Sequence, residues 1–84
     1  MTTATVKLYA SLSSYLPPDA VRNAVEVSLP ADATVLAALE KFNVPEKLCH
    51  LVLLNGVFVP PRSRSVCVVA NGDTIAAWPP VAGG

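Results

Sequence analysis

With 84 residues the chain has room for one domain. A domain of that size buries only about 60–65% of the surface its unfolded form exposes, so a cleft deep enough to enclose a substrate is not expected. Six basic residues balance six acidic ones, leaving no surplus charge to grip a phosphate backbone, and nucleic acid is a poor partner. Hydrophobic residues make up 52% and charged residues only 14%, against about 25% in ordinary soluble domains, so apolar surface should remain outside the core as a docking face.

The chain then reads as follows. Thr5 to Ala10 alternates, with Val6, Leu8 and Ala10 on one face and Thr5, Lys7 and Tyr9 on the other, which predicts a half-buried strand. Leu12, Tyr15 and Leu16 follow without a clean period and are broken by Pro17-Pro18-Asp19, predicting a turn or short helical piece over the core. Alternation resumes with Val25, Val27 and Leu29, a second strand that forms a long-looped hairpin with the first. Thr34 is placed to cap a helix carrying Val35, Leu36, Leu39 and Phe42 on one stripe, with Ala37, Glu40 and Lys41 opposite. Asn43 suits a left-handed ending and Pro45 forbids continuation, so the helix is predicted over 35–42, lying across one face of the sheet.

Leu51-Val52-Leu53-Leu54 is apolar throughout, as an interior strand is. Asn55-Gly56 is the pair a two-residue hairpin turn needs, and Val57-Phe58-Val59 is the return strand, stopped by Pro60-Pro61. Arg62-Ser63-Arg64-Ser65 reads as a polar loop, 66–70 as a further apolar piece, Asn71-Gly72-Asp73 as a second turn, and 74–78 as the last strand. The expected architecture is α+β, a mixed sheet of four to five strands with one main helix across one face. It forms one domain over 1–78 and leaves 79–84 as a flexible tail.

That tail, Trp78-Pro79-Pro80-Val81-Ala82-Gly83-Gly84, is the most informative stretch. Pro79-Pro80 cannot continue a central strand and favours an extended path away from the body. At ~3.3 Å per residue the remaining chain reaches on the order of 20 Å, far enough to enter another protein's cleft. Gly83 and Gly84 lack Cβ, so a partner can close on the backbone and approach the last carbonyl from either side. A carboxylate with a pKa of roughly 3.5 is ionised at neutral pH and a poor electrophile, so it needs activation as an acyl phosphate or acyl adenylate. The bland alternative is a frayed end that does nothing.

Other chemistry-bearing residues read as structural. Cys49 and Cys67 are isolated thiols without metal-ligand spacing, expected as small apolar residues with neither disulfide nor zinc. His50 adjoins Cys49, but neighbours in an extended chain face opposite ways and cannot act as nucleophile and base. Neither a Walker motif nor a glycine-rich phosphate loop follows any strand, so nucleotide belongs on a partner. No apolar run approaches the ~20 residues that span a bilayer and no signal peptide opens the chain, so a cytoplasmic protein free of membrane is expected. Arg62 and Arg64 read as a solvated loop or, functionally, as cations steering an acidic partner; Phe58 or Trp78 on an open sheet face would suit the centre of a docking surface.

The run from Leu51, through Asn55-Gly56 and Asn71-Gly72-Asp73, to Pro79-Pro80-Val81-Ala82-Gly83-Gly84 resembles the MoaD/ThiS family of ubiquitin-like sulfur carriers, and the order of elements resembles the β-grasp fold. Asp32-Ala33-Thr34-Val35 and the opening strand agree with it. The tail is similar to that of the small subunit of molybdopterin synthase more than to the thiamine-pathway carriers. The resemblance implies that Gly84 is adenylated by an enzyme similar to the ubiquitin-activating enzymes, using ATP with magnesium, and that sulfur displaces the adenylate to leave a thiocarboxylate. It implies that Gly83 gives steric access and that Pro79, Pro80, Val81 and Ala82 line the partner's channel. The implied partners are an adenylyltransferase, a sulfur-donor enzyme and a downstream sulfur-accepting synthase, with the free carrier a monomer. It binds no cofactor and catalyses nothing itself. Two other classes stay open: a protein modifier joined through Gly84 to lysines on targets, and an interaction domain with an inert tail.

Overall fold

The structure is a computed structural model and describes residues 1–80. Five strands, β1 (Thr2–Leu8), β2 (Ala24–Leu29), β3 (Leu51–Leu54), β4 (Val57–Phe58) and β5 (Thr74–Trp78), form one sheet in the order β2-β1-β5-β3-β4. β1 and β5 run parallel and every other pair is antiparallel. This is the β-grasp arrangement, with one short helix, α1 (Val35–Glu40), and 3-10 segments at Ala10–Tyr15, Glu46–Leu48 and Pro61–Ser63.

The alternation in β1 sets the core: Ala4, Val6 and Leu8 are buried, and the same face collects Val27 and Leu29 from β2, Val52 from β3 and Ile75 and Ala77 from β5. Val35, Ala38 and Leu39 of α1 and Leu12 of the first 3-10 segment close over it. Leu39 is so enclosed that replacement by alanine would cost about 2–5 kcal/mol. The N-cap is as expected: the Thr34 hydroxyl accepts from the Ala37 N–H at 3.2 Å, a cap that contributes about 1 kcal/mol.

Three expectations, on the ends of α1, β1 and β4, are corrected, and the place of 66–70 is resolved. The helix ends at Glu40 instead of 42, because Phe42 and Asn43 donate to Leu39 and Glu40, three residues back, and tighten the last turn; Asn43 then takes φ 61°. Ala10 is exposed at φ 52° and opens the 3-10 segment, so β1 stops at Leu8 and extends back to Thr2. The apolar piece 66–70 joins no strand of the sheet. It is held to the start of α1, with Val35 N–H bonded to Cys67 O and Val69 N–H to Ala33 O, leaving Val66 and Val68 exposed. The return strand stops at Phe58, one residue short of Val59.

Two turns align β5. Asn55 and Gly56 sit at φ 51° and 83°, joining β3 and β4 with Leu54 opposite Val57. Asp73 accepts from the Ala70 N–H at 2.8 Å and from the Asn55 amide at 2.9 Å, while Asn55 accepts from the Thr74 N–H at 2.8 Å. The hairpin tip is thereby tied to the entry of the central strand, and Asn71 adds a bond from Thr3 N–H.

Candidate functional site

The feature that directs function is the exit of the chain from β5. This strand lies between β1 and β3, so both of its edges are bonded. Its last turn is clamped further: Tyr9 N–H donates to Ala77 O at 3.1 Å and His50 N–H to Trp78 O at 2.9 Å. The Tyr9 and Trp78 rings stack with centroids 4.6 Å apart and planes 8° from parallel. Pro79 follows half-buried and Pro80 exposed. The last strand thus hands the chain to the prolines from a root that cannot move independently of the sheet. Val81, Ala82, Gly83 and Gly84 lie outside the described residues.

Register shows what surrounds that root. Paired residues share a face, so Phe58, Leu53, Ala76 and Lys7 form one row across the sheet and Leu51 and Trp78 another, all opposite the core. α1 covers only the other face. The outcome is an apolar surface of Leu51, Leu53, Phe58, Ala76 and the Tyr9–Trp78 stack, with Lys7 as its cation. Phe58 is 53% exposed and Trp78 partly so. Tyr9, Leu51, Leu53 and Ala76 were not singled out from the sequence. The signal was present in the unbroken apolar run of β3, which needs a covering layer on both faces while the chain supplies a helix for one.

Arg64 is a correction. Expected as a solvated or partner-steering cation, it is 1% exposed. Its Nη1 donates to Cys49 O at 2.7 Å, Nη2 to His50 O at 3.4 Å and Nε to Val59 O at 3.4 Å, so the guanidinium ties the 49–50 segment to Val59 from inside. Arg62, two residues earlier, is exposed. Exposure falls along Arg62-Ser63-Arg64 from exposed through half-buried to buried, as the 3-10 turn at Pro61–Ser63 swings the second arginine inward.

Glu46, Lys47, Cys49, His50, Pro61 and Arg64 border a shallow cleft of about 440 Å³ beside the tail root. Cys49 is buried and His50 exposed, so the two do not form a thiol–imidazole pair. Burial pushes the Cys49 thiol up from its ordinary value, against an opposing pull from Arg64, and its Sγ lies 3.8 Å from Pro45 O. Such a thiol is a poor nucleophile. Among the described residues no group of three or more His, Cys, Asp and Glu gathers to hold a metal, and no helix is long and apolar enough to cross a membrane.

Comparison with known proteins agrees with this geometry. Two crystal structures of the small archaeal modifier protein 1 of Haloferax volcanii are similar, at 27% and 25% identity with TM-scores of 0.69 and 0.70, covering 98% and 96% of this chain and 99% and 100% of theirs. A Pyrococcus furiosus protein assigned as molybdopterin converting factor, subunit 1, shares the fold at 20% identity and TM-score 0.61, over 96% of this chain and 100% of that one. No curated protein matches the chain. The model of the Mut7-C ubiquitin family matches residues 1–83, and the chain belongs to that family of MoaD/ThiS-like, ubiquitin-like small modifier and sulfur-carrier proteins.

Proposed function

We propose that this chain is a sulfur carrier whose working group is the carboxylate of Gly84. In the first step that carboxylate attacks the α-phosphorus of ATP on an adenylating partner, expelling pyrophosphate and leaving an acyl adenylate. A donor enzyme's persulfide then displaces AMP to give an acyl disulfide, and attack of a second thiol on the donor's sulfur releases the thiocarboxylate and leaves a disulfide on the donor. The chain's contribution is presentation. A root bonded on both edges and stacked through Tyr9–Trp78 fixes where the tail starts, Pro79 and Pro80 stiffen its first steps, and Gly83-Gly84 would leave the reacting carbonyl accessible. The open face of Leu51, Leu53, Phe58, Ala76 and Trp78 would dock the partner while the tail enters its channel, with ATP and magnesium held by that partner. Molybdopterin formation is the first choice of pathway, on the Pro-Pro-Val-Ala-Gly-Gly ending, and thiamine formation the next.

The observation that carries this reading is the continuity of the clamped central strand with the diproline and the glycine pair. It is tested by intact mass spectrometry after incubation with a cognate activating enzyme, ATP and a sulfur donor. An oxygen-for-sulfur mass change localised to Gly84 is expected, and its absence with a demonstrably active partner would sink the reading in favour of an inert tail. A second reading, conjugation of Gly84 to lysines of other proteins, is favoured by the 27% identity to a protein named a small archaeal modifier. It shares the adenylation step and predicts an isopeptide-linked ladder in cells that disappears when residues are appended after Gly84.

A further inference from the structure

β4 closes one side of the sheet, and among the described residues no strand is bonded beyond it. Within the hairpin, Leu54 and Val57 flank the two-residue turn as one hydrogen-bonded pair, and Val59 N–H donates to Val52 O at 2.8 Å as the next. In an antiparallel ladder such pairs alternate with non-bonded ones. The pair between them is Leu53–Phe58, so the N–H and C=O of Phe58 point outward from the edge. Farther along, Pro60 has no N–H and its carbonyl is taken by Ser63. The edge therefore offers one two-bond docking point, centred on Phe58.

The side chains around that point are apolar and exposed to an unusual degree. Val57 is 68% exposed, Phe58 53%, and Val66 and Val68, on either side of Cys67, 72% and 54%. Leu54, Val57, Phe58, Val59, Pro60 and Cys67 line most of a groove of about 420 Å³, Asn55 and Ser63 completing it. Val57 and Val59 alternate with Phe58 along the chain, so this groove lies on the other side of the hairpin from the open sheet face. The groove adjoins the face assigned to the tail's partner at Phe58, which borders both, and otherwise shares none of its residues.

We propose that this groove and the β4 edge receive a short extended segment of another protein, apolar at the residue that fills the groove and carrying a carboxylate beside it. The extended form follows from the outward pair at Phe58, since strand addition is how an unpaired edge recognises a peptide, with alternate side chains read by a flanking pocket. The carboxylate follows from charge: Arg62, between the lining residues Pro60 and Ser63, is exposed at the rim, and the lining residues themselves carry no formal charge. A second copy of this chain fits less well. A stable dimer needs about 800 Å² per partner, which a two-residue strand and one groove do not supply.

The proposal is tested on the full-length chain, ¹⁵N-labelled, with a blocked five-residue peptide of sequence Asp-Val-Ile-Val-Asp, an otherwise identical peptide ending in lysines, and one N-methylated at its central residue. Saturable amide shifts at Val57, Phe58 and Cys67, with slowed exchange of the Phe58 amide, are expected from the acidic peptide. The N-methylated peptide should lose most of the effect, and Arg62→Glu should weaken the acidic peptide roughly two- to fivefold while favouring the lysine one. Appending residues after Gly84 should leave this binding unchanged, which separates its fate from that of the sulfur-carrier reading. Shifts confined to Leu51, Leu53 and Trp78, equal binding of all three peptides, or no saturable shift at the edge would each overturn the proposal. So would concentration-dependent self-association through β4 in the absence of peptide.

Discussion

Replacing Arg64 by alanine removes a guanidinium that is 1% exposed and bonded to the carbonyls of Cys49, His50 and Val59. The 2.7 Å bond to Cys49 is charge-assisted and contributes about 1.5–3 kcal/mol; the two 3.4 Å bonds are long and add about 0.5 kcal/mol each. The methylene stem adds packing, whereas relief of the buried charge's desolvation offsets part of the loss. The net expectation is about 2–3 kcal/mol. That is a large share of the ~4–13 kcal/mol that stabilises a domain of this size. It corresponds to a fall in Tm of about 10–20 °C. Urea and thermal unfolding followed by Trp78 fluorescence, the stack with Tyr9 serving as reporter, measure it. Arg64→Lys keeps the charge but can satisfy one carbonyl at a time, and should recover less than half. A Tm change under about 2 °C for Arg64→Ala, or full stability with lysine, would refute the account and return Arg64 to the surface role read from the sequence.

Four further outcomes are expected. Asp73 is held below its ordinary value of 3.8 by its bonds from Asn55 and the Ala70 N–H, so its contribution is present above about pH 4 and lost as pH falls through the lowered value. Asp73→Asn should flatten the acid limb of a stability-against-pH curve below pH 4 relative to the parent, and an unchanged limb would count against the network. Burial raises the Cys49 thiol above 9.0, so its contribution is present below that pH and lost as pH rises through the raised value; Cys49→Ala should flatten the alkaline limb above pH 9. The same burial predicts that iodoacetamide alkylates Cys67 well before Cys49, as peptide mapping would show; equal rates would contradict it. Gly56→Ala places a Cβ at φ 83° and should cost about 1–2 kcal/mol in chemical unfolding although the space beside it is open, because the strain is in the backbone and not in packing.

Much of the fold was legible because its signals are local. Asn55-Gly56 announces a hairpin through the positive φ both positions take, and the Thr34 cap and Asn43 ending bracket α1 from within a few residues. β5 read correctly because Asn71-Gly72-Asp73 and Pro79 punctuate both ends. What was illegible is non-local. Arg64 is inward because its carbonyl partners at Cys49 and His50, 15 and 14 residues away, come within reach only after the sheet has formed. Residues 66–70 have the composition of a strand, but β3 and β5 already occupy one another's edges, and this segment's N–H and C=O groups go to Ala33 and Val35 instead. At the candidate site, the alternation of β1 put Tyr9 opposite the core, but its stacking on Trp78 required knowing that β1 and β5 are parallel neighbours. Phe58 and Trp78 were singled out together, and register puts both on the uncovered side of the sheet.

The parallel seam between β1 and β5 bears on how the protein is made. Every strand that β5 touches precedes it in the chain, and without β5 the β2-β1 hairpin and the β3-β4 hairpin have no bonded strand between them. A nascent polypeptide still missing this segment holds two unjoined halves, and the contacts that unite them span most of the sequence, which makes assembly late and comparatively slow. Completion of the sheet and display of Pro79 and Pro80 therefore coincide. Under the proposed function, an activating enzyme that grips the sheet as well as the tail would by that arrangement ignore unravelled chains, with no separate device for quality control.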